Sequence, residues 1–234
     1  MRGLRKYDVS VEKCFANYLQ QYLYPRLGVD SFQPVFTRDL QYAGVDVFVE
    51  NNGKQYAIDE KLAAHYMNTA KDNFVLELVT PKGNKGWFVD DEKQTDIYAF
   101  IWGRLNEVKF PVRKDERKTD YFKRMYQEDI TGAFVLFVKR KKLLDYFSRH
   151  GYSPEFLYRI GLSFRSMPRN KGVHWKLLCD RKGKQLEGVK GVVYSSYLFE
   201  CPVNIVLQQR LLQELSFCYG FVTDKTFWLT RATA

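Results

Sequence analysis

The chain is poor in the residues that soft metals and thiol chemistry need. Its 234 residues include three histidines, His65, His150 and His174, at no metal-ligand spacing, and four scattered cysteines, Cys14, Cys179, Cys201 and Cys218, with no CxxC pair. This excludes a sequence-evident zinc site and a disulfide framework, and makes free thiols in a reducing cytoplasm the expectation. No Walker A loop, GxGxxG or GxSxG elbow occurs, so neither nucleotide binding nor serine hydrolysis is indicated. No apolar run is long enough to span a membrane, and MRGLRKYDVSVEK lacks the apolar stretch of a secretory signal. Acids are also in deficit. Asp and Glu number 27 against 37 Lys and Arg, a formal charge of +10. That balance suits a polyanionic partner, nucleic acid first.

What is present is a packed globular composition, 45% hydrophobic and 16% aromatic. Ser10 is placed to cap a helix through VEKCFANYLQQYLY, whose Val11, Cys14, Phe15, Tyr18, Leu19, Tyr22 and Leu23 form one apolar stripe. Glu12 falls at the edge of that stripe, either as a first-turn acid or reaching toward a site. NFVLELVT and TDIYAFIWG read as strands, and GAFVLFV as a strand buried on both faces. KRKKLLDYFSRH reads as a helix, as does the region around DYFKRMYQED. CPVNIVLQQRLLQELSFCYGF reads as one helix with Pro202 at its start and Gly220 at its end. The order is mixed α/β, with no internal repeat evident. The texture changes near Gly151, dividing the chain into a core over 1–150 and a C-terminal α+β extension over 151–234.

The stretch GVDVFVENNGKQYAIDEK carries the chemistry. Asn52-Gly53 is the strongest short signal for a type I′ hairpin, since both central residues need positive φ. With that turn Asn51 faces Lys54, and the continued ladder sets Asp46 opposite Asp59, with Cβ atoms roughly 4.5–5.5 Å apart. Lys61 points to the same face as Asp59. Opposed carboxylates destabilise a sheet, and a divalent cation between them reverses the sign of that interaction. A bulge would break the register.

An acid on a first helix (Glu12), an Asp at the end of one strand (Asp46) and Asp59-Glu60-Lys61 on its hairpin partner together resemble the PD-(D/E)xK nuclease superfamily, which includes restriction endonucleases and Holliday junction resolvases. The resemblance covers residues 8–62 by motif. Val45 stands where the motif's name puts Pro, and Asp59 where Glu is commoner. Gln94 and Tyr98 are similar to the QxxxY of RecB-type members. The resemblance implies a restriction-endonuclease-like mixed sheet flanked by helices. It implies Mg²⁺ or Mn²⁺ held by Asp46, Asp59, the Glu60 carbonyl and Glu12, and Lys61 positioning or deprotonating water. The activity implied is hydrolysis of DNA phosphodiester bonds; a catalytically inactive nucleic-acid-binding protein of the same fold is the alternative. Arg113, Lys114, Arg117, Lys118, the run Lys139 to Lys142, Arg165, Arg169 and Lys171 are candidate phosphate contacts. The four tryptophans, Trp87, Trp102, Trp175 and Trp228, read as core more readily than as a base-stacking platform. Oligomeric state stays open; a homodimer would supply two sites for two strands.

Overall fold

A computed structural model describes residues 4–68, 72–111, 125–167, 172–195 and 201–231, with the side chains of 4–9 and of His65 outside the description. The chain forms two compact units that interleave along the sequence: 1–71, 94–139 and 216–234 in the first, 72–93 and 140–215 in the second. The expected division at 150/151 falls inside the second unit, and residues 216–231 return to the first.

The first unit is a seven-stranded mixed sheet in the order β1-β2-β3-β5-β6-β10-β11. Its strands are β1 (Ser31–Pro34), β2 (Val47–Asn51), β3 (Lys54–Leu62), β5 (Ile97–Leu105), β6 (Ile130–Lys139), β10 (Cys218–Val222) and β11 (Phe227–Arg231). Only β3 and β5 run parallel; the other neighbours are antiparallel. The Asn52-Gly53 turn forms as its residues dictate, with φ of 53° and 69°. β5 and β6 are buried on both faces, as their unbroken apolar runs require. Helix α1 (Leu4–Tyr22) covers one face. Val11, Phe15, Tyr18, Leu19 and Leu23 pack with Val47, Ile58, Ala99, Ile101, Val135 and Phe137. Phe15 lies so close to Gly103 that a Cβ there would stand 2.1 Å from its ring. The helix starts at Leu4 and runs through Ser10, because nothing in LRKYDV breaks it. A short α2 (Arg38–Tyr42) leads to Gly44, whose φ of 80° turns the chain into β2.

The second unit is an antiparallel sheet in the order β4-β9-β8-β7, formed by β4 (Asn73–Val79), β7 (Val173–Lys176), β8 (Val189–Ser195) and β9 (Val203–Gln208). Its helices are α3 (Arg140–Arg149), α4 (Pro154–Arg165) and α5 (Gln209–Leu215). The single helix expected from Pro202 to Gly220 is therefore three elements. β-branched VNIVLQ forms β9, QRLLQEL forms α5, and CYGFV crosses to the first unit's sheet as β10. Strand pairing with β4, β8 and β6 overrides the continuous apolar pattern. The helix expected around DYFKRMYQED falls largely on residues outside those described; the last three residues of that stretch, Gln127–Asp129, form a 3₁₀ turn.

This unit also contains a repeat that the sequence hides. Thr80 N–H donates to Asn84 O (2.9 Å), Gly83 N–H to Thr80 O (2.9 Å) and Gly86 N–H to Leu78 O (2.8 Å). The same bonds recur from Asp180 to Lys184 O (2.7 Å), Gly183 to Asp180 O (3.0 Å) and Leu186 to Leu178 O (2.8 Å), at a constant offset of 100 positions (180 − 80). Thr80 Oγ1 accepts from Asn84 N–H where Asp180 Oδ1 accepts from Lys184 N–H. Gly83 and Gly183 have φ of 87° and 79°, a conformation that favours glycine. Few side chains match across the two turns, so the repeat lives in the backbone.

Candidate metal centre on the hairpin

The β2–β3 ladder follows the expected register from Asn51↔Lys54 to Val47↔Ile58. It then slips by one residue. Asp46 N–H donates to Ile58 O (2.8 Å), and Glu60 N–H donates to the Asp46 side-chain Oδ2 (2.8 Å). A carboxylate thus replaces the backbone acceptor that β2 would have offered. Val45 anchors this corner, fully buried with Val35 and Ala57.

The slip keeps the acids together. Asp59 is 2% exposed, with Lys61 Nζ 2.6 Å from its Oδ1. Its Oδ2 is buried and has no hydrogen-bond partner among the described residues. Asp46 lies within hydrogen-bonding reach of Asp59, and burial together with the Asp59 charge pushes its carboxyl up to about 7. Burial alone would lower the Lys61 ammonium, but the Asp59 and Asp46 charges outweigh it and hold Lys61 above the usual lysine value. Two carboxylates therefore share one ammonium in a poorly solvated place.

Glu60 points the other way, into the α1 side of the sheet, as strand alternation requires. Its Oε1 accepts from Tyr24 O–H at 2.6 Å, and burial raises its carboxyl to about 8 despite that bond. Tyr24 is fully buried and stacks on Phe32. Sequence reasoning assigned only the Glu60 carbonyl a role; the alternation of β3 was the signal that its side chain faces the core.

Glu12 is not brought to the pair. It is exposed on α1, and α1 covers the Ile58 face of the sheet, whereas Asp59 and Lys61 project from the Ala57 face. Among the described residues no three His, Cys, Asp or Glu side chains converge on a metal position. Tyr98, fully buried, is the direct neighbour of Asp59 across the β3–β5 ladder, while Gln94 precedes β5 and its N–H donates to Ala43 O. Two hard carboxylates and an orphaned buried oxygen fit a magnesium-type ion, which commonly takes one or two carboxylates and fills its shell with water and substrate phosphate oxygens.

The candidate phosphate contacts divide. Arg113, Lys114, Arg117, Lys118, Arg169 and Lys171 lie outside the described residues. Arg165 is used structurally, donating to Cys201 O (2.8 Å) and Pro81 O. Arg140 donates to Asp90 O (2.6 Å), and Lys141 pairs with Asp145 (2.6 Å). Lys139 lies over the Phe217 ring. His150 and His174 pack on Tyr146 and Tyr194. No helix among the described residues is long and apolar enough to cross a membrane. No family model, curated protein or solved structure matches the chain.

Proposed function

We propose that the chain is a metal-dependent endonuclease that hydrolyses phosphodiester bonds in DNA, built on a restriction-endonuclease-like core similar to the PD-(D/E)xK superfamily. The observation that carries this reading is the buried Asp59 carboxylate, one oxygen without a donor, set against Asp46 and beside Lys61. Once Asp46 ionises, two buried carboxylates face one ammonium, and a bound cation would balance the excess negative charge.

Asp46 and Asp59 would hold Mg²⁺ or Mn²⁺, with the Glu60 carbonyl beside them. A cation there would supply Lewis acidity at the scissile phosphate and a more acidic water. The remaining work falls to the chain. Glu60 N–H pins Asp46 in place. Lys61, kept protonated by the two carboxylates, donates to and orients the attacking water and offsets charge building on the phosphate. That favours an electrostatic role for Lys61 over a general-base one. A homodimer would present two such sites to the two strands of a duplex.

The test is cleavage of supercoiled plasmid, linear duplex and branched DNA with Mg²⁺ or Mn²⁺, wild type beside Asp59→Asn and Lys61→Ala. Metal-dependent cutting lost in both variants supports the reading. DNA binding with no cutting under any metal replaces it with the inactive nucleic-acid-binding protein.

A further inference from the structure

The sheet face that carries Asp59 and Lys61 continues across β5, β6, β10 and β11, and its residues there are not those of an ordinary surface. Ala99 and Ile101 of β5 pack toward α1. Tyr98, Phe100, Trp102 and Arg104 therefore project from the Asp59 face. The register Trp102↔Phe134, Phe134↔Phe221 and Phe221↔Trp228 carries an aromatic row to the edge strand. Ring centroids of Trp102–Phe134, Phe134–Tyr219 and Phe134–Trp228 lie 6.3, 6.2 and 6.2 Å apart. Tyr219 meets Trp228 edge-on at 6.2 Å. Exposure rises along the row: Trp102 is buried, Phe134, Tyr219 and Phe221 are half-buried, and Trp228 is 47% exposed.

Charge on these strands has one sign. IYAFIWGRL, ITGAFVLFVK, CYGFV and FWLTR contain no acid. On the aromatic face the charged group is Arg104, exposed, with its guanidinium 5.6 Å from the Phe221 ring centroid. Rings that become exposed toward the edge strand, with an interleaved cation and no acid on their strands, are what an unpaired nucleic-acid strand requires: bases stack on the rings and the backbone meets positive charge. A duplex offers no free base faces to such a row. Two strand spacings of about 4.8 Å and four residues of about 3.3 Å put Phe134 roughly 16 Å from Asp59 across the same sheet.

We infer that this aromatic face is a stacking platform for a single-stranded DNA segment, so that the substrate class of the proposed site is DNA with an unpaired stretch next to the bond that is cut. The choice of substrate rests on the nuclease reading; the platform itself does not.

The test separates the two. Anisotropy of a fluorescein-labelled oligo-dT and of a duplex of equal length is measured in EDTA, where no cutting occurs. The oligo-dT is expected to bind more tightly than the duplex. Trp228→Ala should weaken oligo-dT binding about tenfold with an unchanged salt slope, while Trp228→Phe restores most of it and Asp180→Ala, in a turn of the second unit, changes nothing. A folded Trp228→Ala, shown by circular dichroism and melting, that binds oligo-dT like wild type overturns the platform. Should alanine unfold the edge, Trp228→Leu decides, since leucine keeps apolar bulk without a ring face, and wild-type affinity there overturns the platform equally. Ring-dependent binding with no metal-dependent cutting would remove the nuclease reading and leave the platform standing.

Discussion

Two sets of acids, one in each unit, serve opposite ends. In the second, Asp180, Asp91 and Glu187 each have a partner that neutralises or uses them. Asp180 accepts from the N–H groups of Lys182 and Lys184 and closes its turn, and Lys85 pairs with Asp91 and Arg210 with Glu187 at the surface. In the first unit, Asp46 and Asp59 are set against each other with one lysine between them and one oxygen left without a donor. The first pattern stabilises a fold. The second costs stability unless a ligand completes it, the behaviour expected where local structure is subordinated to chemistry.

Four experiments sharpen or break this contrast. The largest effect is expected on cleavage, where Asp59→Asn should lower the metal-dependent rate by about 10³-fold or more, on the order of 4 kcal/mol; Asp180→Ala should leave it unchanged. The second is metal-linked stability. Millimolar Mg²⁺ or Mn²⁺ should raise the melting temperature, by about 2.7 kcal/mol of stability at a hundredfold excess over Kd. The gain should be larger at pH 8 than at pH 5.5, because the bound ion requires an ionised Asp46 whose proton must first leave. Calorimetry at two pH values reads this directly, and a shift of equal size at both would refute it.

The third concerns the metal-free protein. Asp46 titrates at about 7 when folded against an ordinary 3.8. Between those values the folded chain keeps a proton that the unfolded chain has lost, so its contribution to stability falls as pH rises through that window. Glu60, raised to about 8, acts in the same direction. Asp46→Asn should therefore melt higher than wild type at pH 8 in EDTA, by up to roughly 4 kcal/mol, and no higher near pH 4. A variant less stable than wild type at both would show that the bond to Glu60 N–H matters more than the charge. The smallest effect is the control. Asp180→Ala should cost about 1 kcal/mol through the lost turn bonds, independent of added metal.

The contrast also marks what the sequence could tell. The hairpin was legible because an Asn-Gly turn and its β-rich flanks are local, and so were the unbroken apolar runs of β5 and β6. The slip at Asp46 was not, since it depends on a side chain capturing a ladder position at the strand's end. The place of Glu12 relative to the hairpin acids is not legible in the sequence, because helix azimuth says which face of α1 is apolar, but not which face of the sheet will receive it. The segment from Pro202 to Gly220 looks helical because apolar spacing in VNIVLQQRLLQEL serves both periods, and only partners far away in sequence make its ends strands, β4 for the one (Gln208↔Asn73) and β6 for the other (Cys218↔Phe137). The repeated turn is hidden in the sequence for the reason that makes it informative: Thr80 and Asp180, or Asn84 and Lys184, share a backbone role and little side-chain chemistry.

The interleaving of the units has a consequence for the order of synthesis. β6 leaves the ribosome with β5 available on one side, while its other neighbour, β10, lies some eighty residues downstream (218 − 139). Until then a strand apolar on both faces has an open edge, and the whole second unit must be threaded out before that edge is closed. Translation speed between Arg140 and Leu215 thus becomes a variable in the yield of native protein, and synonymous changes there should alter aggregation without altering a single residue.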